Sequence, residues 1–338
     1  MEQEQIKALN KIDIEGELLD QKLEYHKDAK GQVDAIKGTI TVQVSEDNKP
    51  KVNIYQGKFT KAKEGEQPKV KKSFETLEKI MKGEVKSIAN ATDEEPAAIV
   101  SIWSGEDSYT PNLEENINPK TGVSTIRNSL GFGNITIRDN YTKKGARAEF
   151  EIECVVNSIK EEKDENGEWT GRAIVDVSIP DARKGLTNLT LILPEIGEDD
   201  EGEFQLAEEL LDTADDIIDA NGIYFYGDIY NLAIEKEEGR KSTGRGRGRR
   251  KVETKTTYES SLVVKCFDYL TQNEGEKFWE DDVVAKLRNE REAYIENEKQ
   301  KAEERENNSQ TSDRRESTGN VGGARATGGR SRSRNRGF

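Results

Sequence analysis

The sequence holds one histidine, His26, and two cysteines, Cys154 and Cys266, among 338 residues. It has no CxxC and no HExxH spacing. Zinc sites are built from several such nitrogen and sulfur donors, so a zinc centre is excluded. With His26 as the one histidine, a nucleophile activated by histidine is nearly excluded too. No cofactor is expected, and no enzyme. Each cysteine lies in an apolar, strand-like run, FEIECVV or SLVVKCF, and reads as a buried free thiol. His26 lies in the charged stretch LEYHKDAKG and reads as a solvated loop residue. No apolar run approaches the ~20 residues of a membrane span. The opening MEQEQIKALNK lacks the basic-then-apolar pattern of a secretory leader. The expected location is therefore cytoplasmic, with no membrane partner.

Apolar residues are also scarce, at 32%, while charged residues reach 35% against a usual ~25%. That suffices for modest cores with unfolded sequence beside them, and the length suggests two domains at ~150 residues each. The net charge of −15 conceals a segregation. Gly239 to Lys251 (GRKSTGRGRGRRK) has seven cations and no acid, and Ser317 to Phe338 has five arginines and no acid. The remainder holds 40 cations against 67 acids. An acidic body repels stray polyanions, and two concentrated basic segments can engage a phosphate backbone.

Alternation of apolar and polar residues marks strands at Asn10 to Lys22, Gly38 to Val44 and Val52 to Tyr55. The polar stretch Glu24 to Lys37 reads as a loop. Phe74, Leu77, Ile80 and Met81 have helical spacing over Ser73 to Lys82. Ala97 to Trp103 is a fourth strand, a polar loop with Pro111 and Pro119 follows, and Val123 to Ile137 holds a fifth. The same order recurs. Strands are expected at Glu149 to Ile159, Gly171 to Ile179 and Leu189 to Leu193, a helix at Phe204 to Ile218, and strands at Gly222 to Ile234 and Tyr258 to Leu270. Two copies of strand–strand–strand–helix–strand–strand are the order of a five-stranded OB barrel. A five-stranded sandwich shares the periodicity, but the helix in the same slot twice favours OB. The expected fold is mainly β: tandem barrels over 1–146 and 147–275, a charged helix over 276–305, and a disordered Arg/Gly/Ser tail over 306–338. The tail has too few apolar residues to offset ordering costs of ~1–2 kcal/mol per residue.

The basic loop sits at a hairpin tip, where an OB groove needs cations. Its candidates are Arg240, Lys241, Arg245, Arg247, Arg249, Arg250 and Lys251. Arginine pairs with phosphate in a fork and stacks on bases. A solubilising loop is the plain alternative. In GIYFYGDIY, Ile223, Phe225 and Ile229 point one way and Tyr224, Tyr226 and Tyr230 the other. If the aliphatic side is core, three rings line the outer face, and bases stack on such rings at ~1–3 kcal/mol each. Packing under a loop is the alternative. Trp169 sits at the mouth of a loop in ENGEWTGR, and Trp103 and Tyr109 hold a comparable place in the first copy. Trp103 can equally be core. Tyr25, Tyr55 and Phe59 are weaker candidates. Glu198, Asp199, Asp200 and Glu201 could in principle hold a metal for a nuclease, but consecutive acids in a polar loop are usually solvated.

NKIDIEGELLDQKL followed by AIKGTITVQV resembles the start of bacterial single-stranded DNA-binding proteins. GIYFYGDIYN, the basic hairpin and ESSLVVKCFDYL resemble their fourth strand, hairpin and fifth strand. Two barrels in one chain, with a charged helix near Trp279 to Arg291, resemble a family of bacteriophage-encoded single-stranded DNA-binding proteins. The resemblance covers Asn10 to Arg291. It implies sequence-independent binding and protection of single-stranded DNA in replication or recombination, with replication or recombination proteins as further partners. The bacterial relatives end in an acidic tail tipped by Pro-Phe that recruits partners. This chain keeps Phe338 but ends RSRSRNRGF, so its tail is better suited to touching nucleic acid. RNA binding is the alternative, because arginine-glycine segments and stacking rings serve both. A structural or assembly protein using its barrels for protein contacts is a third reading. The oligomeric state stays open, since two fused barrels can replace dimerisation or assemble further.

Overall fold

The computed structural model describes residues 6, 8–60, 67–104, 112–118, 124–130, 133–143, 145–199, 201–238, 253–271 and 277–317. The first half contains β1 (Asn10–Lys27), β2 (Val33–Gln43), β3 (Lys51–Gly57), α1 (Lys72–Met81), β4 (Ile99–Trp103), β5 (Leu113–Ile117), β6 (Ser124–Leu130) and β7 (Asn134–Arg138). Strands β1, β2 and β3 form an antiparallel meander, and β4 joins the other edge of β1. The barrel closes through the fifth-strand segment, which is split in two. Its β6 part runs parallel to β3 (Asn53 beside Ser129) and its β7 part antiparallel to β4. Closure by a parallel pairing of strands three and five, with α1 between strands three and four, is the OB order.

The second half repeats it. It contains β8 (Arg147–Lys163), β9 (Trp169–Asp181), β10 (Gly185–Leu193), the small hairpin β11 (Gly197–Asp199) and β12 (Gly202–Phe204), α2 (Leu206–Asp212), α3 (Ala214–Asp219), β13 (Ile223–Glu238) and β14 (Glu253–Tyr269). Here β10 meets β14 in parallel at Ile192 and Val263, and β13 returns to β8. The chain then forms α4 (Asp281–Ser317).

The structure differs from the sequence reading at four places. Glu24 to Lys37 is no simple loop: β1 continues to Lys27 and β2 starts at Val33. The β1 side of this arm is largely exposed and β2 buries the adjacent pair Ala35 and Ile36, so neither strand alternates cleanly here, while backbone pairing and a Lys37–Glu24 ion pair at 3.2 Å extend the arm. A strand, β5, lies between Pro111 and Pro119, held by pairing to β6. The second-barrel helix breaks at Thr213, whose hydroxyl donates to the Glu209 carbonyl at 2.7 Å. Helix α4 runs to Ser317, past Arg305.

The two barrels share a seam. β1 pairs antiparallel with β8, from Asn10 beside Ile152 to Glu15 beside Arg147. Further along, β1 turns from β4 and β8 to β2, and Gly16 lies at that switch. A Cβ on Gly16 would stand 2.4 Å from the Gln43 carbonyl oxygen, so only glycine lets the strands cross so closely. One apolar core runs through both barrels, with Ile12, Ile14, Phe150 and Ile152 buried at the seam.

Candidate nucleic-acid interface

The alternation of GIYFYGDIY positions its rings as read. Ile223, Phe225 and Ile229 are buried, and Tyr224, Tyr226 and Tyr230 are half-exposed on the other side. Their neighbours on β8 were not part of that reading. Tyr224 lies beside Glu153, Tyr226 beside Glu151, and Asp228 beside Glu149. The Tyr226 hydroxyl donates to Glu149 at 2.7 Å, and the Lys265 ammonium lies 5.6 Å over its ring while pairing with Asp228 at 2.7 Å. Burial and the neighbouring carboxylates push the Tyr224 and Tyr226 hydroxyls well above the usual tyrosine value. The face therefore presents rings anchored among carboxylates. Opposite Tyr226 stands Cys266, which for this reason is half-buried, whereas Cys154 is buried as expected.

Trp103 is half-buried at the end of β4, with the Arg138 guanidinium 5.7 Å from its ring centre. The two line a groove of about 710 Å³ along the seam, together with Lys11, Asp13, Arg147 and Glu149. Arg147 is committed there, forking onto Asp13 at 2.8 and 3.0 Å and contacting Glu15. Trp169 opens β9 and is 45% exposed, its indole N–H donating to the Arg172 carbonyl at 2.8 Å. Its ring is available beside Arg172. Tyr109 and all seven cations from Arg240 to Lys251 lie outside the described residues. The strands β13 and β14 that flank this segment are paired up to Glu238 and Glu253.

The first barrel's strands two and three give the clearest aromatic and cationic surface. On the outer side of β2 and β3, Lys37 faces Tyr55, Thr39 faces Asn53, and Thr41 faces Lys51. Tyr55 is 50% exposed. His26 is no free loop residue: its Nδ1 lies 2.7 Å from Asp34, and its ring meets Tyr55 edge-on at 5.8 Å. Beyond the strand end, Phe59 is 48% exposed with the Lys58 ammonium 5.3 Å over its ring. Tyr25 is different. Its hydroxyl donates to Glu78, and that bond, with burial, raises it to about 12.

The family whose model matches the chain is YorF, over residues 8–301. The chain belongs to the YorF family. No curated protein matches it. Among solved structures, this YorF chain is similar to a deletion mutant of the single-stranded DNA binding protein from Thermus aquaticus. That match has 10% identity and a TM-score of 0.38, over 79% of this chain and 97% of that one. It is also similar to a replication protein A heterotrimer bound to single-stranded DNA, at 11% identity and a TM-score of 0.20, over 79% of this chain and 67% of that one.

Among the described residues of this YorF chain, no group of histidine, cysteine, aspartate or glutamate is arranged to hold a metal ion. Glu198 and Asp199 lie on the small hairpin, where Asp199 accepts from the Glu201 and Gly202 amides and so serves the turn. No described helix is long and apolar enough to cross a membrane. Tyr55, a weaker candidate in the sequence, is the most exposed of the candidate tyrosines among the described residues. The signal was there: in KVNIYQG, Val52 and Ile54 are buried, so Tyr55 must face outward, on a strand whose neighbour presents Lys37.

Proposed function

We propose that this YorF-family chain is a non-enzymatic binder of single-stranded DNA that covers and protects the strand, without sequence preference, in replication or recombination, in a phage setting. The observation that carries the reading is the outer face of β2 and β3. There an exposed ring, Tyr55, stands among Lys37, Lys51 and hydrogen-bonding Thr39 and Asn53 on an OB barrel. Exposed rings accept a base of any identity, and ammonium groups at their sides neutralise the strand's phosphates. The cations from Arg240 to Lys251 add phosphate contacts, Trp169 and Trp103 add stacking positions, and Tyr224, Tyr226, Tyr230 and Tyr109 are further positions along the strand. Stacking and phosphate neutralisation do not read base edges, and no 2′-hydroxyl reader is assigned.

The test is a gel shift of single-stranded DNA, duplex DNA and RNA of one sequence, at two salt concentrations. Retardation of the single strand, lost at high salt and weaker for duplex, supports the reading. Stronger retardation of RNA makes the chain an RNA binder. No retardation of any of the three leaves a protein-contact role.

A further inference from the structure

The second barrel's counterpart of the Tyr55 face looks deficient by itself. Across β9 and β10, Asp176 faces Thr190 and Ser178 faces Asn188 on the outer side. This part of the face has no ring and no cation of its own, and its one carboxylate is held by Ser158, Thr190 and Lys160.

Helix α4 lies against the end of this face. Its apolar contribution is small, with Val284 and Leu287 buried. Two features fix its position. Gly185, which opens β10, has φ +75°, and a Cβ there would stand 2.4 Å from the Leu287 carbonyl oxygen. One turn on, Arg291 forks onto Glu115 of β5 at 2.9 and 3.0 Å, and the Asn188 amide donates to the same carboxylate at 3.1 Å. Helix, first barrel and second barrel are thus pinned at one point.

Beside that point a cleft of about 520 Å³ stays open. Asn157, Ser178, Asn188, Thr190 and the carboxylate of Asp176 line it from the second barrel, Glu115 from β5, and Arg288, Arg291 and Glu292 from α4. Asn157 donates to Ser178 at 2.8 Å, and Ser178 donates to Asn188 at 2.8 Å, so this stretch of the barrel wall is a connected row of neutral hydrogen-bonding groups, beside an Asp176 whose carboxylate is already held by Ser158, Thr190 and Lys160. Arg291 is occupied by Glu115, whereas Arg288 is exposed at the rim. Neutral amides and hydroxyls suit the polar edge of a base, and a rim guanidinium suits a phosphate.

We propose that α4 completes a nucleotide-binding cleft on the second barrel, which takes one unpaired nucleotide with its base on the Asn157–Ser178–Asn188 row and its phosphate on Arg288. This rests on the single-strand reading above and assigns α4 a part in it. A paired base inside a duplex cannot enter such a cleft.

The experiment uses the full chain and a thymidine oligonucleotide carrying one photoreactive 4-thiothymidine, with mapping of the cross-linked peptides. It is paired with salt titrations of the wild type, Arg288→Gln and Arg288→Lys. Losing one phosphate contact should make the slope of log affinity against log salt shallower by about 0.7, and the lysine variant should restore it. The melting temperature should not move, because Arg288 is exposed. Cross-links within α4 or β10, with that slope change, support the proposal. A wild type that binds the strand but cross-links elsewhere, with an unchanged slope for Arg288→Gln, overturns it and leaves single-strand binding standing. A wild type that binds no single strand overturns both.

Discussion

Tyr55 and Tyr226 are both outward tyrosines on strands, yet their surroundings assign them different work. Tyr226 has its hydroxyl on Glu149 and an ammonium over its ring, so one face of the ring is already covered. Tyr55 is more exposed and, among the described residues, meets the edge of the His26 ring. Tyr55→Ala should therefore weaken single-strand binding by about 1–3 kcal/mol, with little change in melting temperature, read by anisotropy of a labelled oligonucleotide beside a thermal melt. A variant that melts early and binds normally would make Tyr55 a packing residue instead. Legibility at this scale was uneven. A strand's alternation tells which rings face out, so Tyr224, Tyr226 and Tyr230 could be placed from GIYFYGDIY alone. It does not tell what stands on the neighbouring strand, and Glu149, Glu151 and Glu153 come from far away in sequence.

Among the elements, the repeated strand and helix order was readable because each core strand keeps one face buried. The elements missed are those whose order comes from pairing or ion pairs. β5 has a sequence, LEENI, with two acids at its centre, and nothing local marks it as a strand. It forms because β6 supplies its backbone partners and because α4 and the β9–β10 turn supply cations. Arg183 meets Glu114 at 2.7 Å, and Arg291 meets Glu115. The Glu115 side chain is fully buried and that of Arg291 is 19% exposed. Removing one partner leaves a buried charge, so Arg291→Met should cost about 3–5 kcal/mol in denaturant unfolding. Arg291→Met combined with Glu115→Leu should recover part of that loss. A double-variant loss equal to the sum of the Arg291→Met and Glu115→Leu losses would mean that the pair contributes no coupling.

The whole molecule is two barrels joined along β1 and β8, with buried charge at the seam. Glu15 has a fully buried side chain and accepts from the Thr142 hydroxyl and amide and from Arg147. Burial pushes its carboxyl up, but these hydrogen bonds outweigh it and hold it below the usual range. Glu149 behaves alike: burial is opposed and outweighed by Tyr226 and Lys143. A carboxyl depressed in the fold stabilises above its unfolded value, and that stability is lost as pH falls through the folded value. Melting temperature should therefore drop on acidification through the carboxylate range. Glu15→Gln should be less stable at neutral pH and should show a flatter dependence; an unchanged slope with pH would remove Glu15 from the account. Charge segregation also acts at this scale. If about half of the seven loop cations engage phosphate, replacing 239–251 with Gly-Ser should make the salt dependence shallower by about 2 while some low-salt binding remains.

The central claim, that this acidic two-barrel chain binds an unpaired strand, is tested most directly by competition. A labelled single-stranded oligonucleotide is titrated with the full chain at low salt, then challenged with unlabelled single strand or duplex of the same sequence. The account predicts saturable binding that the unlabelled single strand displaces far better than the duplex. Displacement at equal concentrations of the two, or no binding at low salt, would contradict it.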